Sequence, residues 1–133
     1  MNQMASYHGI ILDSAFEDPN YPYSFKIFAK RKSTTNPWIL IGIEIKESEL
    51  EKSISDIQLN MKSDKPYYSH LYNDEDLVVI FKNKVFKVKS HSSTWKPIIE
   101  YGQLLGIPKE QLDFWPNRVQ DEIHYFKPEE FLN

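Results

Sequence analysis

The chain switches between two hydrophobic periods, and the switches mark its elements. "SFKIFAKRK" sets Phe25, Ile27 and Ala29 on one side of an expected strand and Lys26 and Lys30 on the other, with Phe28 interrupting the alternation. "STTNP" turns the chain. "WILIGIEI" then carries Ile39, Ile41, Ile43 and Ile45 in strict period two, so the two runs are expected to pair as a hairpin. Trp38, Leu40 and Gly42, which point the other way, are also non-polar. That predicts a central strand covered on both sides or held against a second subunit. The period changes in "ESELEKSISDIQLNMK", where Leu50, Ile54, Ile57 and Met61 recur at helical spacing. Ser48 and Glu51 have the spacing of a capping box, and Pro66 bars any continuation.

Period two returns between Tyr67 and Val88. Tyr67 to Tyr72 reads as a strand, and "NDED" as a polar bend whose Asn and Asp side chains can bond their own backbone. Leu77 to Phe81 and Val85 to Val88 are strands joined by a tight turn at "KNK". Thr94 suits an N-cap, with Pro97 in the first turn of a helix from Trp95 to about Leu105. Ile98, Gly102 and Leu105 share a line along it, Gly102 allowing a close approach to the sheet. Gly106 stands where a left-handed C-cap belongs, ahead of Pro108, and "PKEQL" adds a short turn. In the tail, Ile123 to Phe126 is expected to pair as an edge strand or dock across a neighbour.

The sum is an α+β domain: an antiparallel, mostly meander sheet with two helices packed on one face, a relative of the split βαβ, ferredoxin-like arrangement. A chain of 133 residues forms one such domain. Residues 1–22 are an N-terminal strand and loop, 23–106 the core, and 107–133 an aromatic, acidic tail.

Composition narrows the chemistry. The absence of cysteine excludes disulfides, thiolate metal sites and cysteine nucleophiles, and fits a cytoplasmic setting. No basic leader precedes the short apolar run of the N-terminus, and "WILIGI" is too short to span a bilayer, so neither a signal peptide nor a membrane anchor is expected. The net charge is -3, but it is unevenly spread. Lys82, Lys84, Lys87, Lys89 and Lys96 fall in a stretch without acids, whereas Glu110 to Asn133 holds six acids against Arg118 and Lys127.

The segments "HGIILDS" (8–14), "KIFAKRKS" (26–33), "YNDEDLVVIFKNKVFKV" (72–88) and "STWKPIIEYGQLLGIPKEQLDF" (93–114) together resemble a small family of uncharacterised prokaryotic proteins. The likeness spans most of the chain and implies a self-contained domain. That family has no assigned activity, so the resemblance implies no catalytic residues and no cofactor.

Three function classes compete. His8, His70, His91 and His124 are the candidate metal ligands of a His/carboxylate enzyme, with Asp13 beside His8 and Asp74, Glu75 and Asp76 near His70. None has ligand-pair spacing, the "NDED" bend lacks the length and glycine of a calcium loop, and scattered donors are ordinarily plain polar residues. No G-x-S-x-G elbow is present, and Ser14, Ser69, Ser92 and Ser93 read as turn or cap residues. Four dispersed glycines exclude a phosphate loop.

The second class is single-stranded nucleic-acid binding. Lys30, Arg31 and Lys32 on one hairpin and Lys82, Lys84, Lys87 and Lys89 on another would form a basic patch if both lay on the same sheet edge, with Tyr67, Tyr68, Tyr72 or Phe86 as stacking surfaces. Gatekeeper lysines on edge strands explain the same residues and fit an acidic chain better. The third class is a non-enzymatic binding or protein-interaction module without cofactor, expected as a homodimer. Aromatic residues make up 14% of the chain, and Trp38, Leu40, Trp115, Tyr125 and Phe131 are the interface candidates. The rival reading has the tail wrapping its own sheet. The residue pattern favours the third class.

Overall fold

The isoleucine run is the spine of a sheet in the computed structural model, which describes residues 6–132. Residues 1–5 of the expected 1–22 segment, and with them most of the N-terminal leader reading, lie outside the described residues. Six strands, β1 (Ser6–Leu12), β2 (Lys26–Lys32), β3 (Ile39–Lys46), β4 (Tyr68–Tyr72), β5 (Asp76–Phe81) and β6 (Lys84–Lys89), pair antiparallel in the order β2-β3-β1-β4-β5-β6. The predicted hairpin and the three-strand meander are both present.

β1 is inserted between β3 and β4 and runs antiparallel to each. β3 and β4 are therefore parallel to one another, and α1 (Leu50–Asn60) connects them. This is one split βαβ unit. A ferredoxin-like chain of βαββαβ order contains a second, but here α2 (Lys96–Leu104) is followed only by 3-10 turns and the short helix α3 (Glu122–Tyr125) among the described residues.

The two long helices lie on opposite faces, not on one. Ile54 and Ile57 of α1 pack with Ile41, Ile43, Ile45, Leu71, Val78 and Ile80. Ile98 of α2 packs with Tyr72, Leu77, Val79, Phe81, Trp95 and Phe114. β5 shows why: Val78 and Ile80 point to one core and Leu77, Val79 and Phe81 to the other. A strand apolar on both sides requires cover on both, since each buried side chain of this size contributes roughly 1.5–3 kcal/mol.

Other local expectations shift for identifiable reasons. Phe28 forms a bulge between Ile27 and Ala29, so Ile27 faces the α1 core and Ala29 the α2 core, instead of sharing a side. Its ring lies over Gly42, where a β-carbon would stand 2.7 Å from it. The capping box at Ser48 does not form: a 3-10 turn, Glu47–Glu49, leads into α1 and supplies its entry. Thr94 is not the N-cap of α2 either. Its hydroxyl accepts from the Lys89 N–H at 3.3 Å and lies 2.8 Å from the His91 carbonyl, tying off β6. Gly102 meets the side chain of Leu112, not the sheet.

Ile123 to Phe126 is mostly helical, as α3 and its C-cap; the tail instead touches the edge strand through a single Ala29–Phe131 bridge and a 2.8 Å bond from the Leu132 N–H to the Phe28 carbonyl. Among the described residues, no helix is long and apolar enough to cross a membrane.

Candidate functional site

After α2 the chain crosses the second sheet face without regular structure, held by side chains that reach it from the strands. Tyr68 donates its hydroxyl to the Gln111 carbonyl. His70 bonds the Pro116 carbonyl at 2.7 Å through Nε2, and Asp74 accepts the Val119 N–H at 2.7 Å. Asp74 does so from the "NDED" bend, where Asn73 also accepts the N–H groups of Glu75 and Asp76, as its residue types predict. Further on, Glu122 accepts from the Tyr72 hydroxyl at 2.6 Å and from His8 Nδ1 at 2.7 Å.

Between this crossing segment and the β2–β3 hairpin a cleft of about 530 Å³ is left open. Ile10 and Leu12 of β1, Leu40 of β3 and His70 of β4 line its apolar part, and Trp38, Tyr67, Tyr68, Trp115 and Tyr125 contribute rings. Arg31, Glu110, Asp113 and the turn residues Ser33, Thr35 and Asn36 supply polar groups. The lining mixes five aromatic rings with aliphatic and polar groups in nearly equal share, and the volume falls in the usual range of ligand sites, roughly 300–1,000 Å³. Phe114, beside it, is fully buried at a φ of 48°, in the left-handed region that bulky residues avoid. Rings of Tyr68 and Trp95 pack edge-on against it and hold it there. Backbone strain retained next to an open cleft is a mark of functional sites.

Electrostatics within the cleft are set by burial. The Tyr68 phenol is pushed up first by burial and then by the Asp113 carboxylate. Tyr125 is raised to about 12, mainly by burial, with Arg31 opposing and Asp113 adding to the rise. Burial lowers His70 to about 4, the Pro116 bond opposing only in part, so the ring is neutral at physiological pH. The Arg31 guanidinium lies 4.9 Å from the centre of the Tyr125 ring.

The cleft brings together four of the five interface candidates: Trp38, Leu40, Trp115 and Tyr125. Phe131 lies elsewhere, packed with Phe28 and Phe126 on its own chain. In the single chain the tail packs on its own sheet, with Phe126 buried there. Sequence reasoning missed the contribution of the Ser33–Asn36 turn, because nothing in a turn's composition says which cavity it borders.

The four histidines do not converge. His8 is stacked on Phe28 at 4.2 Å and bonded to Glu122, with Nε2 3.6 Å from Glu44, and His70 is committed to Pro116. His91 and His124 are exposed. Among the described residues no group of three or more metal-donor side chains is placed to hold an ion. The Tyr72–Glu122–His8 cluster was not legible in the sequence, since its members are up to 114 positions apart. None of the three lines the cleft. It fastens α3 to β1 and β4.

The joint basic patch is also corrected. Lys30, Arg31 and Lys32 belong to β2, and Lys82, Lys84, Lys87 and Lys89 to β6 and its turn, at opposite edges of the sheet. Five strand spacings separate the edges, about 24 Å. Lys87 is also paired with Glu51, Lys89 with Asp76 at 2.8 Å, and Lys82 with the carbonyl of Gln58 near the α1 C-terminus at 2.7 Å. No family model, curated protein or solved structure matches the chain.

Proposed function

We propose that this protein is a non-enzymatic interaction module that holds an exposed segment of another protein in the aromatic cleft. The observation that carries the reading is the convergence of Trp38, Tyr67, Tyr68, Trp115 and Tyr125 on one hollow beside a strained, buried Phe114. Tryptophan and tyrosine dominate the energetics of protein recognition because they bury a large area with little side-chain entropy. The polar groups fit the same reading: the only lining histidine is occupied by a backbone carbonyl, which leaves it to shape the wall.

A displayed library of short random peptides, selected on the whole protein and counter-selected on a Trp38→Ala/Trp115→Ala variant shown to be folded by circular dichroism, tests this. Peptides should be recovered that bind the protein and lose at least about tenfold in affinity on the double variant. Failure to recover any peptide that depends on the two tryptophans would refute the module reading. The homodimer expected from the aromatic surplus would be the same recognition between two copies. Light scattering detects it, with the double variant shifting dimer to monomer.

A further inference from the structure

We infer that the cleft takes a basic side chain, an arginine or lysine on the bound protein segment. This rests on the module reading above and names what anchors the segment. Five rings line the hollow, and the face of each carries the negative lobe of its quadrupole, which attracts a desolvated ammonium or guanidinium. Two carboxylates, Glu110 and Asp113, stand among those rings, both are exposed, and neither takes part in an ion pair among the described residues. Asp113 lines the same hollow as Tyr68 and Tyr125, and its charge adds to the rise of both phenols.

The cation already in the cleft does not oppose this. Arg31 lies on the Tyr125 ring with one nitrogen 3.5 Å from the Tyr125 carbonyl, so its charge is partly spent on groups of its own chain, and it shows how a guanidinium sits against these rings. Within the lining itself, two carboxylates stand against this one guanidinium. An acidic or phosphorylated group in the hollow would meet Glu110 and Asp113 as like charges, whereas a basic one pairs with them. An uncharged aromatic guest would fill the hollow but leave Glu110 and Asp113 without a cationic partner.

The displayed-peptide experiment separates the two levels. Among peptides that depend on Trp38 and Trp115, the inference requires a lysine or arginine at a fixed position. Replacing that residue by norleucine or citrulline should weaken binding about tenfold or more. Asp113→Asn combined with Glu110→Gln, two exposed changes that leave the fold intact by circular dichroism, should weaken the basic peptide at least about fivefold. The same pair should leave its citrulline or norleucine form unchanged, and affinity for the basic peptide should fall as salt rises. Tryptophan-dependent peptides that lack a basic residue, or that tolerate its replacement, would overturn the cation anchor while leaving the module intact. No tryptophan-dependent peptide at all would overturn both.

Discussion

Protonating His70 should cost the fold about 3 kcal/mol. The side chain is 4% exposed on β4, among Tyr68, Tyr72 and Phe114, with the Pro116 carbonyl 2.7 Å from Nε2. A carbonyl only accepts, so Nε2 carries the proton of the neutral ring and Nδ1 does not. Burial brings the folded-state pKa from 6.5 down to about 4. Between pH 6.5 and pH 4 the unfolded chain therefore binds a proton that the folded chain refuses. Stability is complete above that window and falls as pH drops through it. The gap, at about 1.4 kcal/mol per pH unit, amounts to roughly 3 kcal/mol, or about 10 °C in Tm for a chain of this length.

The assay is urea unfolding at several pH values from 7 to 4, on the wild type and on His70→Gln. Glutamine keeps an N–H directed toward Pro116 but does not titrate. Carboxylates and the other histidines contribute alike to both proteins and cancel in the difference. The two stability curves should diverge below pH 6.5, the variant losing less. Parallel curves across the window would refute the buried neutral imidazole. Because His70 also fastens the arm that carries Trp115, acid should loosen the cleft before global unfolding, visible as a change in tryptophan emission that the variant lacks.

Four further substitutions probe the frame. Glu122→Ala strips the buried Tyr72 hydroxyl of its acceptor and should cost about 2–3 kcal/mol in denaturant unfolding; adding Tyr72→Phe should recover part of that loss, a non-additivity a double-mutant cycle reads directly. Ile57→Ala, at a fully buried position of the α1 core, should cost about 2–5 kcal/mol, and a smaller loss would mean that the two faces do not share the load as described. Gly106 has a φ of 93° with nothing within 4 Å of a built β-carbon, so Gly106→Ala should cost about 1 kcal/mol of backbone strain alone, measured as a lower Tm with an unchanged denaturant slope.

Where one residue's contacts are local, the sequence was readable. The alternating isoleucines, the α1 stripe as far as Ile57, the "NDED" bend and the left-handed Gly106 all depend on neighbours within a few positions and are where their pattern puts them, while Met61, expected as the last helical position, is the extended C-cap and bridges Phe16. Phe28 announced itself by breaking the alternation, although only the paired β3 shows that the break is a bulge. Helix starts slipped because Ser48 and Thr94 had competition: a 3-10 turn precedes each helix and uses the backbone groups a side-chain cap would have satisfied. The side of the sheet each helix takes was not legible, since a helical stripe says that a face is buried and not which face buries it. The Glu122 cluster and the cleft combine residues from both ends of the chain and leave no periodic trace.

The cleft exists because the fold contains one split βαβ unit and not two. On the α1 side a helix crosses from β3 to β4 and packs on the face. On the other side no strand follows α2 among the described residues, so nothing draws a helix back across β1. An irregular arm makes the crossing and is fixed at points: Tyr68 to Gln111, His70 to Pro116, Asp74 to Val119, and Tyr72 and His8 to Glu122. Four of these five anchoring side chains come from β1 and β4, the strands at the centre of the sheet, and Asp74 from the bend that follows β4. The rim of the cleft on this side is thus irregular chain, held by these polar bonds and by Leu112, Phe114 and Phe126 buried against the sheet, while its floor is central sheet. A segment seated between Trp38 and Trp115, as proposed, would rest on central sheet and against this anchored arm. Changes to Tyr68, His70 and Tyr72 should then alter binding through the rate of escape more than the rate of encounter, measured as koff and kon for a selected peptide, because they leave the carboxylates of the surface in place.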